Sequence, residues 1–240
     1  MMKQFLSATV LLVAATMPAA ADDKTVILDL YPIPVMVIDA NTGVFVDLAK
    51  ELAKRARVAV SIEVVPARRA VDNFERGEVD ALLPGLSVLL SKPYVASAPI
   101  YIKRDFVFSK SPQPLLTTID TLAGKRVGIT LGYPYAREVI GATTFSLDTA
   151  ATDEINFGKL DAGRIDAFID EEKTGLGALH AAGLTGITYD PAHPVSQQEV
   201  FVAFHDTPDG HTLADQFSAA LADFKADGGF ARLMARTEQP

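Results

Sequence analysis

The stretch "RGEVDALLPG" (Arg76–Gly85) has a close echo in "AGRIDAFIDE" (Ala162–Glu171). Both carry Gly-x-x-Asp-Ala followed by an apolar run, at Gly77–Ala81 and Gly163–Ala167. The chemistry predicts one building unit used twice. Gly takes a left-handed backbone without strain and stops a helix. Asp accepts backbone N–H groups at the turn that follows. The apolar run then enters a sheet.

The surrounding pattern supports that reading. "TVILDLY" (Thr25–Tyr31) is β-branched and apolar, and Pro32 and Pro34 end it, so it predicts a strand. "VFVDLAKELAKRAR" places Phe45, Leu48, Ala49, Leu52 and Ala56 on one helical face. Val58–Val65 predicts a second strand, Arg68–Glu75 a helix stopped at Gly77, and "VDALLPGL" a third strand. The second copy closes a similar series: strand Lys125–Gly132, a helix beginning over Tyr135–Ile140, strand "TTFSLD", helix Glu154–Leu160 and strand "IDAFID". β-α-β-α-β is the order of a parallel sheet covered by helices. Ile100–Ser111 and Gln198–Asp206 are extended, β-rich connectors. The terminal helices carry an apolar stripe of Leu213, Phe217, Ala220, Leu221 and Phe224, broken at Gly228–Gly229. The expected fold class is α/β: two lobes, each a mostly parallel sheet flanked by helices, joined by two hinge strands around a cleft. Lobe 1 is expected over 22–103 plus 201–240, and lobe 2 over 104–200.

Composition narrows the function. The formal charge of −8 argues against nucleic acid or an anionic membrane as the main partner. The chain has no cysteine, which excludes disulfides, cysteine zinc sites and thiol catalysis. Residues 1–21 have the basic, apolar and small-residue regions of a secretory signal, with cleavage expected after Ala21. The apolar part, Phe5–Met17, is shorter than the roughly 18–20 residues a membrane span needs. The four histidines share neither a helix face nor a ligand spacing. "GKRVGITLG" lacks the Gly-Lys-Ser/Thr end of a phosphate loop, and no Gly-x-Ser-x-Gly elbow occurs. No cofactor and no metal are expected.

"GVFVDLAKELAKR", "RGEVDALLPGLS", "LAGKRVGITLGYPY", "LDAGRIDAFIDE" and "LADFKADGGFARLM" stand in an order and spacing that resembles family 3 of the extracellular solute-binding proteins. These are periplasmic components of ABC importers for polar amino acids and similar small solutes. The resemblance covers almost all of the chain after residue 21. It implies a type II periplasmic-binding-protein fold, closing on one small-molecule ligand and presenting it to a membrane permease. A monomer in the periplasm is the expected state.

The resemblance also implies site residues. The family's Gly-x-Ser-x-Thr-x-x-Arg segment, which holds a ligand carboxylate, reads "GLSVLLSK" here. Gly85 and Ser87 match; Leu89 stands where Thr is usual and Lys92 where Arg is usual. Lys keeps the charge without the planar fork. The family's amino-binding acid falls on Glu171, with Asp170 beside it. "PARRA" is similar to a branch with Pro-Trp-x-Arg-Ala, matching at Arg69. "LGYPYAREV" places Tyr133 and Tyr135 where a helix opens, and Tyr31 follows the first strand toward the cleft. The implied roles are Lys92, Ser87 and Arg69 at an anionic end, Glu171 or Asp170 at a cationic end, and Tyr31 or Tyr133 along the body. The same fold resembles periplasmic cyclohexadienyl dehydratases, in which Glu171 would protonate a leaving hydroxyl. A ligand-sensing subunit is the third reading.

Overall fold

A computed structural model describes residues 25–111 and 115–238. The expected signal segment lies outside the described residues. The first half runs β1 (Val26–Leu30), α1 (Val44–Ala56), β2 (Val60–Val64), α2 (Ala67–Arg76), β3 (Ala81–Gly85) and β4 (Tyr94–Ala96). It continues through β5 (Tyr101–Lys110), β6 (Arg126–Thr130), α3 (Arg137–Ile140), β7 (Ser146–Ala150), α4 (Asp153–Asp161) and β8 (Ala167–Glu171). Then come α5 (Glu172–Ala181), β9 (Ile187–Thr188), β10 (Ser196–His205), α6 (Pro208–Ala226) and α7 (Gly229–Met234).

The main strand order is β2-β1-β3-β10-β5-β8-β6-β7. β1 pairs in parallel with β2 and β3, and β6 in parallel with β7 and β8. Between these parallel sets lie the antiparallel β10 and β5. β10 changes partner along its length: Ser196–Val200 pair with β5, and Phe201–Phe204 with β3. The two long strands therefore stitch one lobe to the other. The fold is the type II periplasmic-binding-protein fold.

The repeated motif does the same work in each lobe. Gly77 and Gly163 both have positive φ, of 74° and 66°, where a helix gives way to a turn. Asp80 accepts the Ile27 N–H at 2.9 Å and donates its own N–H to the Ile27 carbonyl. Asp166 does the same with Arg126, at 2.7 Å. The aspartates thus clasp the neighbouring strand rather than bonding within their own turn, as the sequence reading had it. A backbone-to-backbone bond and a carboxylate bond on one residue fix the register of the third strand against the first.

Each sheet is covered on both faces. In lobe 1, Leu48, Leu52, Phe204, Phe217 and Leu221 pack α1 and α6 on one face, while Phe74, Leu82 and Tyr31 lie on the other. In lobe 2, Phe108, Phe157 and Phe168 meet edge-on, with ring centroids 4.9–5.3 Å apart for Phe157 against the other two. The opposite face holds Val107, Val127, Ile169 and Tyr135. These faces are mostly apolar, and where the sheets approach each other Lys103, Asp105, Ser196 and Gln198 are polar but buried.

Candidate ligand-binding site

The crossing strands form the floor of the site. Tyr101, Lys103 and Asp105 alternate along β5, so their side chains share one face. β10 sets Ser196 opposite Asp105 and Gln198 opposite Lys103, and β8 sets Glu171 on the other side of Asp105. Asp105 has no exposed surface, Lys103 is 7% exposed and Glu171 8%. The Asp105 carboxylate accepts from the Lys103 ammonium and, at 2.6 Å, from Ser196 Oγ. The Lys103 ammonium also lies 5.8 Å from the centre of the Tyr135 ring.

Glu171 ends β8 and caps α5. Its Oε2 accepts the N–H groups of Lys173 at 2.9 Å and Thr174 at 3.0 Å. Burial raises the pKa of its carboxyl group; these two N–H bonds and the Lys103 charge pull the other way, and Asp105 adds to the rise. Burial also raises the Tyr101 hydroxyl well above its ordinary range, with Glu171, Tyr31 and Asp105 nearby. Asp105, Glu171 and Lys103 leave the floor with more acid than base. Such a floor favours a cation in the space above it.

A cleft of about 530 Å³ lies beside the floor and meets it at Gln198. Ser87, Val88 and Phe201 line it from lobe 1, Arg137 and Glu138 from lobe 2, and Gln198 from the crossing strand. Ser87 is exposed there. Gly85 lies beneath, and a Cβ on it would sit 2.8 Å from the Phe201 ring and 3.1 Å from Ala203 Cβ. Only a hydrogen at that position lets β10 close on β3. Gly85→Ala is expected to destabilise the protein by about 1–3 kcal/mol, read from the urea midpoint.

The other sequence-derived residues are placed as follows. Arg69 is exposed on the first turn of α2 and has no hydrogen bond or ion pair among the described residues. Lys92 lies outside the cleft. Its ammonium bonds the Glu75 carbonyl, and it lines a separate hollow of about 370 Å³ with Phe74 and His205. The residues that line that hollow are distinct from those that line the cleft. β4, which pairs with Ala203–His205, returns to the cleft at Tyr94 and Ala96. Tyr31 is buried, and its hydroxyl donates to the Pro84 carbonyl at 3.1 Å. Tyr135 is also buried: its hydroxyl accepts the Thr130 N–H at 2.8 Å and donates to the Ile169 carbonyl at 3.1 Å. Tyr133 is half-buried and donates to Asp153 at 2.9 Å.

Asp170 and Glu171 point to opposite faces of β8. Asp170 pairs across from Phe106 on the face carrying Phe108 and Phe168. It has no exposed surface, and burial with Asp153 nearby raises its carboxyl pKa far above the usual aspartate range. Of the two acids, Glu171 shares the face of Lys103 and Asp105.

Tyr101, Lys103, Asp105, Ser196 and Gln198 were not among the residues expected from the sequence. No local period marks them, because Arg104, Gln197 and Glu199 between them are polar as well. Their strand geometry and the β5–β10 register put them on one side.

A family model for bacterial extracellular solute-binding proteins, family 3, matches residues 25–237. The chain belongs to this family. Among curated relatives, it is 26% identical over 211 residues to the histidine-binding periplasmic protein of Escherichia coli (strain K12), covering 80% of this chain and 76% of the relative. It is 26% identical over 135 residues to the lysine/arginine/ornithine-binding periplasmic protein of the same strain. That second match spans 54% of this chain and about half, 52%, of the relative. A solved histidine kinase sensor domain with similarity to periplasmic binding proteins superposes with a TM-score of 0.69 at 21% identity. It covers 89% of this chain and 95% of the sensor domain.

Proposed function

We propose that this protein captures a small polar solute carrying an amino group, such as an amino acid or a related amine, between its lobes in the periplasm. It then delivers the solute to an ABC-type permease. The observation that carries this reading is Glu171, a buried carboxylate on the interlobe floor beside a single lysine that Asp105 already neutralises. An ammonium or guanidinium group would complete the charge balance there. Ser87 and Arg69 reach the ligand from lobe 1, with lobe 1 over 22–103 and 201–240 and lobe 2 over 104–200. The names of the two relatives, which bind histidine or lysine, arginine and ornithine, favour the same ligand class. A ligand that touches both lobes favours the closed state by its differential affinity.

A second reading, a ligand-sensing subunit, draws on the likeness to the sensor domain. It shares the binding step and differs only in the membrane partner. In both readings the protein binds its ligand without transforming it.

Binding is expected to appear as a thermal shift. With L-histidine, L-lysine, L-arginine and L-ornithine tested separately, a ligand at about 100 times Kd adds roughly 2.7 kcal/mol of stability. For a chain of this size that is a rise of several degrees. Folded protein that shifts with none of these, nor with a wider set of amines and amino acids, would refute amino-solute capture.

A further inference from the structure

At the edge of the cleft lies a buried acceptor with no partner among the described residues. Gln198 is 8% exposed and lines the cleft on the crossing strand β10. Its Nε2 donates to the Pro134 carbonyl at 2.8 Å, which fixes the orientation of the amide. The other end, Oε1, is buried and has no hydrogen-bond partner among the described residues. The side chain directly across the ladder, Lys103, turns its ammonium to Asp105 instead. A buried carbonyl oxygen without a donor is costly, and among the unpartnered buried atoms of the described residues, Gln198 Oε1 belongs to a side chain that lines the cleft.

We propose that Gln198 is a specificity-determining contact, whose Oε1 accepts an N–H from the bound ligand. This rests on the capture function above and narrows its ligand class. The solute must present an N–H donor, from an amine, guanidinium, imidazole or amide, to the β10 side of the floor. Glu171 takes the cationic charge, and Gln198 reads the geometry of a second N–H. A ligand with only carboxylate oxygens facing Gln198 would set lone pair against lone pair and be rejected. Pro134 is the positioning partner. Its carbonyl holds the amide so that oxygen, not nitrogen, is presented to the ligand.

The test is calorimetric titration of wild type and Gln198→Met, a change that keeps length and removes both polar atoms. The probes are L-histidine, L-lysine, L-arginine, L-glutamine and putrescine, with succinate as a probe lacking any N–H. Wild type is expected to bind at least one N–H probe and not succinate. Gln198→Met is expected to weaken that binding about tenfold or more, equivalent to about 1.4 kcal/mol per tenfold. Its ligand-free melting temperature and circular dichroism separate this from misfolding. If Gln198→Met is unfolded, Gln198→Asn, which shortens the reach of the oxygen, carries the same expected loss. Equal affinity in a folded variant would overturn the assignment of Gln198 and leave solute capture standing. Succinate binding as tightly as the N–H probes would also overturn the assignment of Gln198, whereas succinate binding in place of every N–H probe would overturn amino-solute capture as well. Wild type that binds none of the probes would instead strike at capture of amino solutes, and the Gln198 assignment with it.

Discussion

Asp105→Ala is expected to destabilise the protein by about 3–5 kcal/mol, the range for breaking a buried ion pair from one side. Asp105 has no exposed surface and holds both Lys103 and Ser196. Those partners lie on the two different strands that join the lobes. Its removal leaves an ammonium that is 7% exposed without its principal counter-charge, in a place water barely reaches. The hydrophobic share of the loss is small, because the side chain is short. The electrostatic share decides the outcome. The double variant Lys103→Met with Asp105→Leu removes both charges and fills the space, so its stability is expected to return to within about 1 kcal/mol of wild type, or above it. Urea denaturation of the two single variants and the double variant gives the coupling directly. A double variant as unstable as the sum of the singles would show that the pair is not the source of the effect.

That pair also marks the limit of what the sequence made legible. Strands β1, β2, β3, β6, β7 and β8 follow from apolar runs bounded by Pro and Gly. These signals are local, so a single chain displays them. The register of β3 against β1 and of β8 against β6 rests on Asp80 and Asp166, whose bonds the sequence reading placed inside the turns. α5 was not anticipated, because Gly175 and Gly177 lower its intrinsic helicity. It forms because Glu171 caps its first turn and because Gly175 lets it lie against Phe108, where a Cβ would be 2.8 Å from the ring. β4 is three residues long and exists by pairing with β10, a contact more than a hundred residues away. The site divides in the same way. Glu171 was reachable by counting from Gly163. The position of Lys92 was not: the charge at that place in the motif is kept, but its ammonium turns to the Glu75 carbonyl near the end of α2. Lys103, Asp105, Ser196 and Gln198 become one group only when β5 and β10 lie side by side. Nothing local announces that register.

Glu171→Gln is expected to weaken binding of an amine or amino-acid ligand about a hundredfold, near 3 kcal/mol, while leaving the fold intact. The two effects separate because Glu171 has two tasks. As a cap it only needs an oxygen to accept the Lys173 and Thr174 N–H groups, and glutamine supplies one. As a counter-charge it needs ionisation, which glutamine cannot provide. Glu171→Ala loses both and is expected to lose about 1 kcal/mol of stability as well. The pH dependence follows from the direction of the shift. Burial raises the pKa of the folded carboxyl above 4.5, so in the free protein its contribution to stability is full below that value and is lost as pH rises through the raised one. A cationic ligand favours the ionised form and reverses the trend. Wild-type affinity is therefore expected to climb as pH rises through the folded value, then level off once the carboxylate is fully formed. Lys103, Asp105 and Tyr101 face the same carboxyl, but Glu171→Gln leaves all three in place. Titrations at a series of pH values should show this climb in wild type and a flat profile in Glu171→Gln. A variant that keeps the wild-type slope would assign the titration, and the ligand's counter-charge, to another group.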